Sequence, residues 1–140
     1  SGAAVRMARS LVTEVYPVII PVLRYRDATR AVDWLQAAFD LSIGDVVRDE
    51  QGEVTHAEMQ YGSGWIMFGP VGQQSEWDTP PASAGIYVVV DDVDAHYRRA
   101  KAAGAEIMYE PRDTYYGSRE YGARDFEGNA WSFGTYVPKP

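Results

Sequence analysis

Large apolar side chains alternate with small or polar ones in several short stretches of this chain. "VTHAEMQY" (54–61) sets Ala57, Met59 and Tyr61 on one side and His56, Glu58 and Gln60 on the other. "AWSFGTY" (130–136) sets Trp131 and Phe133 against Ala130, Ser132 and Gly134. A period of two marks a strand with one buried face. "PVIIPVLRY" (17–25), "IGDVVRD" (43–49), "WIMFG" (65–69), "GIYVVV" (85–90), "AEIMY" (105–109) and "REYGARD" (119–125) read as further strands. Pro21 marks an edge or an irregularity in the first of them. Two stretches change period. Val32, Leu35, Ala38 and Phe39 form a helical stripe that predicts a helix over 28–40, capped by Asp27. Val93, Tyr97 and Ala100 do the same over 91–104, with Asp92 at the cap and Gly104 past the C-terminus. On that helix His96 falls on the exposed side. "GSG" (62–64) reads as a turn and "EPRDTYYGS" (110–118) as a loop. "PVGQQSEWDTPPASA" (70–84) reads as a linker.

The order strand, helix, strand, strand, strand therefore occurs twice. Asp27 and Asp92 stand 65 residues apart, and so do Gly64 and Asn129, Phe68 and Phe133, and Gly69 and Gly134. One offset aligns both ends of the unit, which identifies an internal repeat. The predicted fold is α+β, a single domain of two βαβββ modules, about 17–69 and 85–136.

Composition narrows the function. A chain of 140 residues suits one well-cored domain. A net charge of −7 argues against nucleic acid as a partner and favours a cationic ligand. The absence of cysteine excludes disulfides, thiolate metal sites and cysteine nucleophiles. "SGAAVRMARS" lacks the long apolar run of a signal peptide, and "VYPVIIPVL" is too short to span a membrane. A cytoplasmic protein with no membrane partner is expected. "GSG" lacks the strand-to-helix setting of a phosphate loop.

The repeat, the phrase "VVVDDVDAHYRRAKAAGAEI" and the ending "YGSREYGARDFEGNAWSFGTY", with its D-x-x-G-N motif at Asp125 to Asn129, together resemble the glyoxalase/bleomycin-resistance/dioxygenase family, the vicinal oxygen chelate superfamily. The resemblance implies two sheets curled into a cup with helices outside. It also implies metal ligands on the first and last strand of each module. Those places fall at Ile20, Met67, Gly85 and Ser132. Isoleucine and glycine offer no donor, and methionine and a lone serine bind Zn²⁺, Fe²⁺ or Ni²⁺ poorly. The chain thus resembles the metal-free branch of the family. That branch includes bleomycin-resistance proteins, which sequester an antibiotic as dimers with clefts between subunits. No cofactor and no metal are expected.

Alternation extends the cup wall to Val22, Arg24, Trp65, Tyr87, Val89, Ala130 and Gly134. The polar sides of the third strands add His56 and Glu58 in the first module, and Tyr121 and Ala123 in the second. The expected ligand contacts are Val22, Arg24, His56, Glu58, Trp65, Met67, Tyr87, Val89, Tyr115, Tyr116, Tyr121 and Ser132. Tyr115, Tyr116 and Trp77 are loop residues that could close the mouth or meet a second subunit. Such a wall suits a flat aromatic or amphipathic ligand, and its ring faces also favour a cation. The leading expectation is a homodimeric, metal-free binding protein for a planar aromatic or peptide antibiotic. Two enzymatic readings stay open. One is a lyase, isomerase or dioxygenase with a displaced metal at His56 and Glu58. The other is acid–base chemistry by Glu58, Glu120 or Tyr121.

Overall fold

In the structure, a computed structural model, residues 19–73 and 85–138 are described. The first module runs β1 (Val22–Tyr25), α1 (Ala28–Phe39), β2 (Ser42–Arg48), β3 (Val54–Tyr61) and β4 (Gly64–Pro70). The second runs β5 (Gly85–Val89), α2 (Val93–Ala102), β6 (Glu106–Asp113), β7 (Arg119–Arg124) and β8 (Ala130–Gly134). The βαβββ order is repeated as the periodicity predicts. The sheets are ordered β1-β4-β3-β2 and β5-β8-β7-β6. In each, the first and last strands of the module pair in parallel and the other pairs are antiparallel. A parallel pair needs a long crossover, and each module's helix lies within it.

Two boundaries depart most from the sequence reading. β1 begins only at Val22, because Pro21 has no N–H for the ladder; its carbonyl still accepts from Met67 N–H at 3.0 Å. β6 continues through Glu110, Pro111, Arg112 and Asp113, which read as loop. Proline is tolerated there because β6 is an edge strand whose register shifts between Tyr109 and Arg112. Most of the predicted linker (74–84), with Trp77, lies outside the described residues.

Local chemistry sets the helices. The Asp27 and Asp92 carboxylates accept from Arg30 N–H (2.9 Å) and Ala95 N–H (3.0 Å), capping α1 and α2. Asp40 ends α1 in the left-handed region, at φ 64°. Arg99 and Lys101 in the last turn of α2 complement its dipole. His96 corrects the expectation of an exposed histidine, being only 6% exposed. With Asp92 as the cap, it shares a stripe with Val93 and Ala100. Its Nε2–H donates to the Phe39 carbonyl at 2.8 Å, so Nδ1 accepts from the Tyr121 hydroxyl at 2.6 Å. Both polar atoms are satisfied, which makes burial tolerable.

The two modules share one core. Phe39 of α1 touches Trp131 and Phe133 of β8, with ring centroids 5.1 and 4.9 Å apart. The turn after β7 ties them further. The buried Asp125 carboxylate accepts from Tyr25 Oη (2.7 Å), Trp131 Nε1 (3.1 Å) and Asn129 Nδ2 (3.0 Å). It also accepts from the backbone N–H groups of Glu127 and Asn129, each at 3.0 Å. The Glu127 carboxylate accepts from Arg26 N–H and Asp27 N–H, each at 2.6 Å, where β1 passes into α1. The D-x-x-G-N motif is thus a structural latch between modules.

Candidate functional site

Register separates the core residues of the central strands from those on an outer face. In the first module Met67 lies beside Val22 and opposite Glu58, and Trp65 lies opposite Gln60. Val22, Arg24, His56, Glu58, Trp65 and Met67 therefore share one outer face, while Leu23, Tyr25, Ala57, Met59, Ile66 and Phe68 are buried behind it. His56 Nε2 and Glu58 Oε2 are 3.0 Å apart, and both side chains are partly exposed.

In the second module Ser132 lies beside Tyr87 and opposite Gly122; Gly134 lies beside Val89 and opposite Glu120. Tyr87, Val89 and Ser132 lie on the outer face, but Tyr121 and Ala123 do not. Tyr121 is fully buried, with its ring stacked on Phe133 at 5.0 Å and its hydroxyl on His96. Burial raises its pKa well above the ordinary phenol value. It can neither touch an outer-face ligand nor serve there as acid or base. The physical reason is one residue. Met67 and Ser132 stand 65 residues apart, but their partners Glu58 and Gly122 stand only 64 apart. The second turn is longer by one, and a slip of one residue turns every side chain of β7 over. Glu120, Gly122 and Arg124 take the outer face instead.

The small residues have large neighbours. A Cβ on Gly122 would lie 2.8 Å from Tyr109 Cζ and nearer still to Cε1. One on Gly134 would lie 2.5 Å from Glu120 Cγ and 2.8 Å from the Tyr87 hydroxyl. Tyr109 and Tyr87 thus reach across the glycines, and Tyr109 Oη is 2.8 Å from Ser132 Oγ. Sequence reasoning missed Tyr109. Strict alternation puts it on Ile107's side, whereas the β6 bulge turns it outward. Tyr87 Oη donates to the Tyr136 carbonyl (2.8 Å) and Tyr116 Oη to Glu120 Oε1 (2.9 Å). Burial raises the Tyr87 pKa, and the hydrogen bond to Glu120 raises that of Tyr116. The Tyr116 and Tyr136 rings meet edge to face at 5.8 Å, while Tyr115 is fully exposed beside Tyr116.

Three cavities adjoin these groups. One of about 510 Å³ lies at the seam of the modules and brings Trp65 together with Tyr87 and Val89. One of about 280 Å³ lies over Met108, Tyr109 and Ser132. One of about 620 Å³ is bounded by Tyr87, Tyr115, Tyr116, Glu120, Ser132 and Tyr136. Val22, Arg24, His56, Glu58 and Met67 line none of the three.

The residues at the expected ligand places do not fit a divalent metal. Beside Met67 and Ser132 stand Val22 and Tyr87, and the Ser132 hydroxyl is engaged by Tyr109. Among the described residues no group of three or more His, Asp or Glu could hold an ion.

Two βαβββ modules with these outer faces define a class, and residues 18–133 match the model of the Glyoxalase/Bleomycin resistance protein/Dioxygenase superfamily. The chain belongs to that superfamily. It is similar to TioX from Micromonospora sp. ML1, at 32% identity and a TM-score of 0.75 over 85% of this chain and 98% of that one. An uncharacterized protein of Mycobacterium tuberculosis is 30% identical over 135 residues, 91% of this chain and 79% of the relative. A glyoxalase/bleomycin resistance protein from Streptomyces sp. CB03234 shares the fold, with a TM-score of 0.65 and 17% identity over 81% of this chain and 96% of that one.

Proposed function

We propose that this protein binds a planar aromatic or peptide antibiotic without a metal and sequesters it, as drug self-resistance in the cytoplasm. The observation that carries the reading is the outer face of the second module. There Tyr87 and Tyr109 reach over glycines and border concavities of about 280 and 620 Å³. Ring faces beside a concavity give a flat ligand stacking area at little conformational cost. The poor donor chemistry beside Met67 and Ser132 supports binding over metal-assisted turnover. Membership of a superfamily named in part for bleomycin resistance supports the antibiotic class. A homodimer belongs to the same reading. The two outer faces carry exposed apolar residues, among them Val22, Tyr87 and Val89, and a second copy would bring one face against the other.

Tryptophan fluorescence tests the reading directly, because Trp65 borders the seam cavity. Titration with bleomycin, mitomycin and a quinoxaline peptide antibiotic should give saturable quenching with at least one. Flat titrations with all three would refute sequestration. The His56–Glu58 contact favours a second reading, an acid–base or displaced-metal enzyme. Stoichiometric metal in protein purified without chelator, lost in His56→Ala, would establish it.

A further inference from the structure

The tyrosine-lined cavity of the second module contains a carboxylate, and its surroundings specify what that carboxylate can bind. Glu120 crosses β8 where Gly134 leaves room, and Tyr116 Oη donates to its Oε1 at 2.9 Å. Its Oε2 takes no hydrogen bond from the described residues. Around it stand the rings of Tyr87, Tyr116 and Tyr136, each more than a third exposed. Tyr87 and Tyr136 are fixed by the bond from Tyr87 Oη to the Tyr136 carbonyl and by Ser118 Oγ, which accepts from Tyr136 N–H at 3.1 Å. Arg112 lies across from Glu120 in the register, but its guanidinium sits 4.1 Å from the Tyr109 ring centroid. Among the described residues no cation is within ion-pair distance of Glu120. One tyrosine of this face therefore already carries a cation, and that cation is not paired with the Glu120 carboxylate.

We infer that this cavity binds an organic ammonium group, quaternary or protonated, with Glu120 as counter-ion and the faces of Tyr87, Tyr116 and Tyr136 as its cage. Ring quadrupoles attract a desolvated cation, and the acidic chain adds a favourable field. The inference rests on the ligand-binding reading above and gives its ligand a charged head. A quaternary ammonium suits the site well, because it is too weakly hydrated to demand hydrogen bonds that tyrosine faces cannot supply.

The test compares benzyltrimethylammonium with its uncharged carbon isostere, followed by NMR chemical shifts. Wild-type protein should prefer the cation by about tenfold. The preference should fall to about threefold or less in Glu120→Gln and shrink in Tyr116→Phe, which frees the carboxylate from its clamp. Equal affinity for the two probes, no binding of the cation, or an unchanged preference in Glu120→Gln would overturn the inference. Circular dichroism of both variants verifies that they fold. Antibiotic quenching that persists without any charge preference would sink the cation site alone. A charge preference without antibiotic quenching would sink sequestration alone.

Discussion

A methyl group on Gly122 has no room while Tyr109 lies over it. Gly122→Ala should therefore push Tyr109 off Ser132 and destabilise the fold by roughly 1–3 kcal/mol, the range for overpacking. Urea denaturation would show this, and adding Tyr109→Ala should restore most of the loss. A fully additive double mutant would mean that the ring is not what fills the space. Asp125 sits at the other extreme, as a small buried group with many donors. Asp125→Ala would strand the Tyr25 hydroxyl, the Trp131 indole N–H and the Asn129 amide at once. A loss of about 3 kcal/mol or more is expected in the same assay. Neither role follows from residue type alone. An aspartate before Gly-Asn reads as a turn, and only the fold brings Tyr25 to it from a hundred positions away.

At the scale of elements, the helices and most strands were legible because one face packs toward the core and the other does not. The periods of two and 3.6 record that burial directly. Orientation was legible only where turn lengths match. β3, β4 and β8 follow their alternation, but the longer turn after β7 places Tyr121 among the core rings and Glu120 outside. The β6 bulge conceals Tyr109 in the same way, since one extra residue leaves no clear mark in composition. His96 was obscured for another reason. A polar residue type hid a core position whose two nitrogens both find partners on other elements. Burial lowers its pKa, so the fold disfavours the imidazolium. The unfolded chain keeps the ordinary value of 6.5 and binds a proton first as pH falls. The histidine's contribution should be complete above pH 6.5 and should decline below it, until the folded-state pKa is passed. Urea midpoints from pH 8 to pH 5 would trace this loss. His96→Gln should flatten it, and an unchanged slope would assign the effect to other groups.

For the molecule as a whole, the shared core and the Asp125 latch hold the modules together, while the outer faces and the loops beside them carry exposed large apolar groups. Val22, Tyr87, Val89, Met108, Tyr116 and Tyr136 are each more than a third exposed. A dimer that covers part of this surface should appear in sedimentation at twice the chain's mass. Val89→Lys should shift it toward the monomer without unfolding it, because Val89 lies outside the core. A wild-type monomer at high micromolar concentration would oppose the dimeric reading. The fold class and the repeat followed from the spacing of residues. Which outer-face groups act together depends on contacts between distant strands, and pattern alone could not supply that.

Gly122 also offers a way to sort relatives. In this chain the glycine opposite Ser132 is what lets the Tyr109 ring reach across the sheet, and the same position in relatives is the one to compare. Glycine there leaves the wall open to a tyrosine from the next strand. A larger residue would lift that ring away and remake the floor of the cavity. A single position could therefore separate chains with an aromatic floor from those that line the same sheet with upright side chains.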